Sequence, residues 1–325
     1  MKHEISSWDL SEIRPANVKK IFEEIDRRTG QIEQKRPALT DSIPPAAFFS
    51  LLQQLEELHI INSKLGVYAH LWSAEDSSNQ EANALTSHIE TFLTKINNRL
   101  LFINLWFKSL PDLKAAQLIK ASGKYAYFLE RMRKTKPYTL QENEEKIINL
   151  KDVSGVSALN SIYGILCSQF QFEVKGKKIG QEELLTYVRD ASPAKRELAY
   201  RTLLEKYNGH KDVIGEVYKN IINDWREENI HLRRYKTPIN VRNIANDIPD
   251  QAIDTLLKAC EKNQHLFHKF FELKRKRLKL KKMRRFDLYA PIVQKKESKI
   301  PYNEAVEMVL DTFKNFSPEF YKEAS

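Results

Sequence analysis

The chain has 325 residues, 42% of them hydrophobic, enough to bury a large core in about two or three structural units. Nine glycines and twelve prolines are too few for a turn-rich β fold and favour long helices. The formal net charge is +10, but residues 274–285, KRKRLKLKKMRR, hold nine basic groups and no acidic one. The rest of the chain is thus close to neutral, and the high pI is no argument for nucleic acid.

Two cysteines, Cys167 and Cys260, stand in apolar contexts without a CxxC partner. They read as buried free thiols in a reducing compartment and exclude a disulfide frame or a metal knuckle. The opening MKHEISSWDL lacks the apolar core of a signal peptide. No run reaches the roughly 18 apolar residues that span a bilayer. The longest, 100–107, is interrupted by Asn104. A cytoplasmic location, with no membrane partner, is expected by elimination.

The first long helix is predicted from Pro44 to about Leu65, with Phe48, Leu51, Leu52, Leu55, Leu58 and Ile61 at mixed three and four spacing. The second, over 85–110, carries a continuous stripe through Ile89, Phe92, Ile96, Leu100, Ile103 and Phe107. Joined through YAHLWSAEDSSNQ, the two form an antiparallel pair whose aromatic stripe is core, not a ligand box. Pro111 ends that element, and one further helix is predicted over 113–133. Thr139-Leu-Gln-Glu142 reads as a capping box, and Glu142, Glu144 and Glu145 suit the positive end of the helix that follows. Cap and dipole explain that acidic group without catalysis.

Phe170-Gln-Phe172-Glu-Val174 alternates apolar and polar, and with Lys175-Gly176-Lys177-Lys178 and Ile179 it predicts a β-hairpin between helices. Ser192-Pro193 is an N-cap with proline at the first helical position. A helix with Leu198, Leu203 and Tyr207 follows, then one with Ile214, Val217, Tyr218, Ile221, Ile222 and Trp225. Asp247, Pro249 and Asp250 start another, holding Ile253, Leu256, Leu257, Cys260, Phe267, Phe270 and Phe271. No fixed period recurs, so the chain is not a solenoid. The fold class is mainly α with one small β-hairpin.

Motifs that carry chemistry are absent. There is no phosphate-binding glycine loop and no GxSxG elbow. His3-Glu4 is followed by Ile5, Ser6 and Ser7, so it does not form the His-Glu-x-x-His of zinc peptidases. His265 and His268 share a helix face near Glu261 and Glu272, but no third imidazole or thiol lies near in sequence, and a place on a partly buried helix face is expected. The run 274–285 has no interleaved aromatics and reads as a solvated helix end, its cations placed against the carbonyl pole. Nucleic acid is therefore an unlikely partner. Catalytic, cofactor-binding and metal-binding residues are all expected to be absent from this chain.

The order of several short motifs resembles oligoendopeptidase F-type enzymes of the thimet oligopeptidase family of zinc metallopeptidases. They are Trp8-Asp-Leu-Ser11, Tyr68-Ala69 with Glu75-Asp76, and Pro137-Tyr-Thr-Leu140 with Glu144-Glu145. A hairpin follows, then Ala191-Ser-Pro-Ala-Lys-Arg196, Arg234-Tyr235 and Asn246. Last comes Phe271-Glu-Leu-Lys-Arg-Lys276, leading to Phe286-Asp-Leu-Tyr-Ala-Pro291. One departure is Leu278-Lys-Leu280, where such enzymes usually carry a Leu-Gly-Leu-like break. The family's zinc ligands, and its substrate-binding tyrosines and histidines, match no position here.

The resemblance implies a long-helix hairpin region over 1–110, helices plus hairpin over 111–190, and the start of a peptidase-type helical domain, cut short, over 191–325. It implies the non-catalytic part of a cytoplasmic zinc endopeptidase for short peptides, this chain alone being inactive and holding no zinc. The alternative is a stand-alone helical module that binds peptides or proteins. Finally, 302–316 is predicted as a helix with Ala305, Val309, Phe313 and Phe316 on one stripe. That face needs a cover and otherwise invites self-association.

Overall fold

The computed structural model describes residues 8–292 and 300–325. His3-Glu4 lies outside them. Asn17 accepts from the Lys20 amide at 3.1 Å and starts α1 (Val18–Glu33). Apolar spacing does not mark this helix, because its many charged residues obscure a narrow stripe. Ile25, Thr29 and Ile32 form that stripe and are buried.

The predicted long pair is α2 (Pro45–Glu75) and α3 (Gln80–Ser109). Both extend beyond the expected bounds, leaving a link of four residues, 76–79. Asn79 caps α3, its side chain accepting from the Glu81 and Ala82 amides at 3.0 and 3.1 Å. The helices run antiparallel: the Thr86 hydroxyl donates to the Ala69 carbonyl near the link, and Phe48 stacks on Phe107 at the far end. Phe48, Leu51, Leu58, Ile89, Ile96 and Phe107 are buried between them, and α1 lies against both. The 85–110 stripe is core, as its periodicity requires.

The helix expected over 113–133 is broken. It forms α4 (Asp112–Ala121) and α5 (Ala126–Lys134) on either side of Gly123, which takes a left-handed φ of 53°. Leu118, Tyr125 and Leu129 close the first core from there. The Thr139 capping box also needs correction. Thr139 is extended and its hydroxyl donates to the Thr135 carbonyl. The next helix, α6 (Glu142–Ser154), starts two residues later than that box implies, with Glu144 accepting from the Gln141 amide at 2.8 Å.

Beyond α7 (Val156–Ser168), the hairpin is present as β1 (Phe172–Val174) and β2 (Lys177–Ile179), with Phe172 opposite Ile179. Lys175 and Gly176 both have positive φ, 52° and 78°, as a type I′ turn demands. Phe170, Phe172, Val174, Ile179 and Leu184, the last on α8 (Gln181–Thr186), build a second core with Ala199 of α9 (Pro193–Gly209). Ser192 and Pro193 open α9 as predicted, although Ser192 places no side-chain bond on the helix.

Then follow α10 (Lys211–Arg226), a π-helical turn (Glu227–Leu232), α11 (Pro238–Ala245) and α12 (Asp250–Arg277). Of the apolar residues on α12, Ile253 and Phe271 are half-buried and the rest are uncovered. Every residue from 254 to 270 is exposed, Phe267 at 60%. Cys260 is thus an exposed thiol, not a buried one, and Cys167 is half-buried. Leu198, Tyr218 and Ile222 are also exposed. Near the end, α13 (Tyr302–Phe316) forms at the predicted bounds and packs chiefly on α14 (Pro318–Ala324). Val309 and Phe316 of its apolar stripe remain open, at 53% and 75% exposure. No helix among the described residues is long and apolar enough to cross a membrane.

The end of α12 explains the non-glycine break at 278–280. The Leu280 amide reaches back to the Arg275 carbonyl and the Lys279 amide to that of Lys276, a Schellman closure. It forces Lys279 to φ 55°, a conformation that favours glycine. Lys279→Gly is expected to raise stability by about 0.5–1 kcal/mol, relief of backbone strain outweighing the added freedom of the unfolded chain. Urea unfolding checks this, and a loss of stability would show that the Lys279 side chain compensates its own strain.

Candidate functional site

Two long-range ion pairs organise the polar interior. The first rests on Arg233, just beyond the π-helical turn. Its Nη1 and Nη2 donate to the two carboxylate oxygens of Glu145 at 2.7 and 2.8 Å, and its Nε to Glu228 at 2.6 Å. Nη1 also reaches the Tyr138 carbonyl at 3.1 Å. Glu145 accepts from the Leu140 amide at 2.9 Å, which fixes the start of α6. Next to this node, the Tyr138 and Tyr235 rings stack at 3.8 Å with 10° between planes. Asn149 donates to Asn98, and Asn98 to the Lys146 carbonyl, so α3 and α6 share a bonded polar seam.

Burial pushes the Glu145 carboxyl up, but the Arg233 bonds, the Leu140 amide and the Arg233 charge outweigh it. The carboxyl is held below its ordinary value. Asp152 shows the opposite: burial, and then the Glu228 and Asp224 carboxylates, raise it. Asp152, Asp224 and Glu228 bring one oxygen each to within 4.8 Å of one another. This is the group of potential metal ligands found among the described residues.

The second pair is Arg196 with Asp287, 2.7 Å apart and 1% and 2% exposed. Arg196 Nη1 also donates to the Asp190 and Ala191 carbonyls. Asp287 accepts from the Arg284 amide at 3.0 Å, and Lys274 Nζ donates to the Leu288 carbonyl at 2.6 Å. The stretch around 191–196 and the Phe286-Asp-Leu-Tyr turn, read apart in sequence, are therefore one unit. The basic run is not only a solvated helix end: Lys274 is buried, and Arg275 donates to the Leu280 carbonyl. Its cations thus fold the turn as well as suit the helix pole.

None of this fits the zinc centre of a metallopeptidase, which needs imidazole ligands and a glutamate beside a metal-bound water. His265 and His268 are both exposed on α12, not partly buried as expected, because no neighbouring element among the described residues covers 254–270. His265 Nδ1 lies 3.2 Å from the Lys262 carbonyl. The Asp152 group offers only carboxylate oxygens, and Glu228 is already engaged by Arg233. No catalytic step is derived from these residues.

A family model described as Oligopeptidase F matches residues 106–172, the stretch that contains Tyr138 and Glu145. The oligopeptidase PepF of Bacillus subtilis is 22% identical over 317 residues, 94% of this chain and 47% of that protein. An oligoendopeptidase F homolog of Borreliella burgdorferi is 20% identical, covering 85% of this chain and 46% of that one. The crystal structure of oligoendopeptidase-F from Enterococcus faecium superposes with a TM-score of 0.73 at 19% identity, over 94% of this chain and 59% of that one. The likeness is to oligoendopeptidase F. The chain spans about half the length of the curated relatives it matches, and the shared fold is the mainly helical one with its two-stranded hairpin.

The chain pairs an oligoendopeptidase F-like fold with buried ion pairs that are structural. Asp287→Ala leaves Arg196 buried without a counter-charge and is expected to cost about 3–5 kcal/mol. Arg196→Met combined with Asp287→Leu should recover most of that, as chemical denaturation of the three variants would show. For Glu145 the folded carboxyl titrates below its unfolded value. Its contribution is therefore complete above the unfolded value and disappears as pH falls through the folded one. Glu145→Gln should be less stable than the parent at neutral pH and should lose less stability on acidification. Parallel curves for the two proteins would exclude Glu145 as the titrating group.

Proposed function

We propose that this chain is the non-catalytic part of a zinc-dependent oligopeptidase, forming a wall of the cleft that admits short peptides. In this reading it works inside the cell, and the metal and its activated water come from residues outside this chain. The observation that carries the reading is the combination of two coverages. Nearly all of this chain aligns with oligoendopeptidase-F, yet it accounts for only 59% of that structure. The open apolar faces of α12 and α13 support it, since faces of that kind are normally buried against another element. Division into the segments 1–110, 111–190 and 191–325 belongs to the same reading.

The test has three measurements on one preparation. The chain alone, dialysed and then assayed with zinc and an internally quenched short peptide, should show no zinc-dependent cleavage and well under one zinc per chain. Mixing it with the part of the Bacillus subtilis protein that it does not align with should protect residues 254–270 and 302–316 from hydrogen exchange. Self-association of the chain alone should diminish in the same mixture. Cleavage by the isolated chain, or a full zinc equivalent lost in His265→Ala/His268→Ala, would overturn the proposal. A monodisperse protein already protected at α12 and α13 would favour a stand-alone binding module instead.

A further inference from the structure

A polar cavity of about 300 Å³ lies between the last turns of α3 and the stacked Tyr138–Tyr235 pair. Lys108, Asn104, Asn149 and Asn229 contribute to its walls. A second cavity, of about 490 Å³, opens on the other side of Lys108 towards Arg36 and Lys136. Lys108 is half-buried and lines both.

The carboxylates lining these two cavities are taken. Glu145 is held by both terminal nitrogens of Arg233, and Glu142 is shared by Arg36 and Lys146. Glu228, just beyond the walls, is bonded by Arg233 Nε. The Lys108 ammonium has neither an ion pair nor a hydrogen bond among the described residues, while its backbone carbonyl accepts from Arg133. Burial, partly opposed by the Glu145 charge and added to by that of Arg233, pulls its pKa below the ordinary lysine value. An ammonium withdrawn from water without a counter-ion is costly, and such groups ordinarily have partners.

We propose that Lys108, with the side-chain amide of Asn104, binds the carboxylate of a small organic molecule in the cavity walled by Tyr138 and Tyr235. The charge balance selects the ligand class. Glu145 and Glu228 both draw on Arg233, so the Lys108 ammonium is the cation on this wall without a carboxylate partner among the described residues. A single carboxylate supplies that partner with less surplus negative charge than a phosphate dianion would bring. A planar carboxylate can lie beside the flat tyrosine pair while accepting from the ammonium and an amide N–H. The volume is at the small end for ligand sites, suited to a molecule the size of an amino acid or a dipeptide. The carboxylate could belong to a free amino acid or to a peptide C-terminus. The inference does not depend on the cleft-wall reading, because binding is measured on this chain directly.

The experiment uses the whole chain with its lysines ¹³C-methylated, so that Lys108 gives its own NMR signal, assigned by its absence in Lys108→Met. It is titrated with N-acetyl-dialanine, the C-terminal amide of the same compound, free alanine and inorganic phosphate. At least one of the two carboxylates should move the Lys108 signal saturably. The amide should bind at least about tenfold more weakly than its acid, a loss of roughly 1.4 kcal/mol. Lys108→Met and Lys108→Gln, followed by calorimetry, should lose about tenfold or more in affinity while melting no lower than the parent. Preference for N-acetyl-dialanine over alanine assigns the source as a peptide terminus, and the reverse assigns a free amino acid. The proposal is overturned by equal binding of acid and amide, by tighter binding of phosphate, or by no saturation below about 10 mM. Unchanged affinity in a folded Lys108 variant would overturn it equally. The acid–amide comparison needs no variant, so a variant that fails to fold leaves the test intact.

Discussion

The contact between Arg233 and Glu145 is the constraint on which the middle of the molecule depends. It joins the start of α6 to the segment after the π-helical turn, across 88 positions of sequence. A planar guanidinium meeting both oxygens of one carboxylate fixes orientation as well as distance, which a lysine in the same place would not do. Because Nε is also bonded to Glu228, the side chain cannot swing away without breaking a charge-assisted bond on each side. The Tyr138–Tyr235 stack, the placement of Lys108 and the polar seam between α3 and α6 are all arranged around this node.

The Arg196–Asp287 pair plays the same part farther along. A pair this deeply buried gives little net stability compared with apolar residues of equal volume, and its attested use is to fix which segments meet. Here it joins the opening of α9 to the turn after α12. Arg196 Nε is buried with no partner among the described residues, so the geometry serves the backbone carbonyls of Asp190 and Ala191 at the expense of one donor. Lys274 closes the other side of the same turn.

How much of this was legible in the sequence follows from the range of each interaction. The stripe through Ile89, Ile96, Ile103 and Phe107 and the Lys175-Gly176 turn are local patterns, and both are found where the pattern puts them. The break at Gly123 and the shift of the α6 cap from Thr139 to Gln141 turn on which of several adjacent caps and breakers wins, and spacing does not decide that. Asn17 is a local signal for α1, an asparagine cap ahead of a stripe only three residues deep. The pairs Arg233–Glu145 and Arg196–Asp287 leave no trace in local pattern. Glu145 looks like any first-turn carboxylate, and the two halves of the second pair are 91 positions apart. On α12, where Cys260 and the His265–His268 face are exposed instead of buried, periodicity marks which residues are apolar but not whether a neighbour covers them.

That helix has a consequence for the life of the protein in a cell. Its 28 residues make a rod roughly 42 Å long at 1.5 Å per residue. Along 17 consecutive positions, 254–270, no contact among the described residues buries a side chain of the rod. Its opening there costs only the helix's own weak cooperativity, far less than global unfolding. Wherever α12 is left uncovered, proteases that act on transiently open chain meet this stretch long before they meet the α1–α3 bundle, and chaperones that bind exposed apolar helices compete with them for it. Turnover would be governed by the cover over one helix, largely independent of how stable the bundle is.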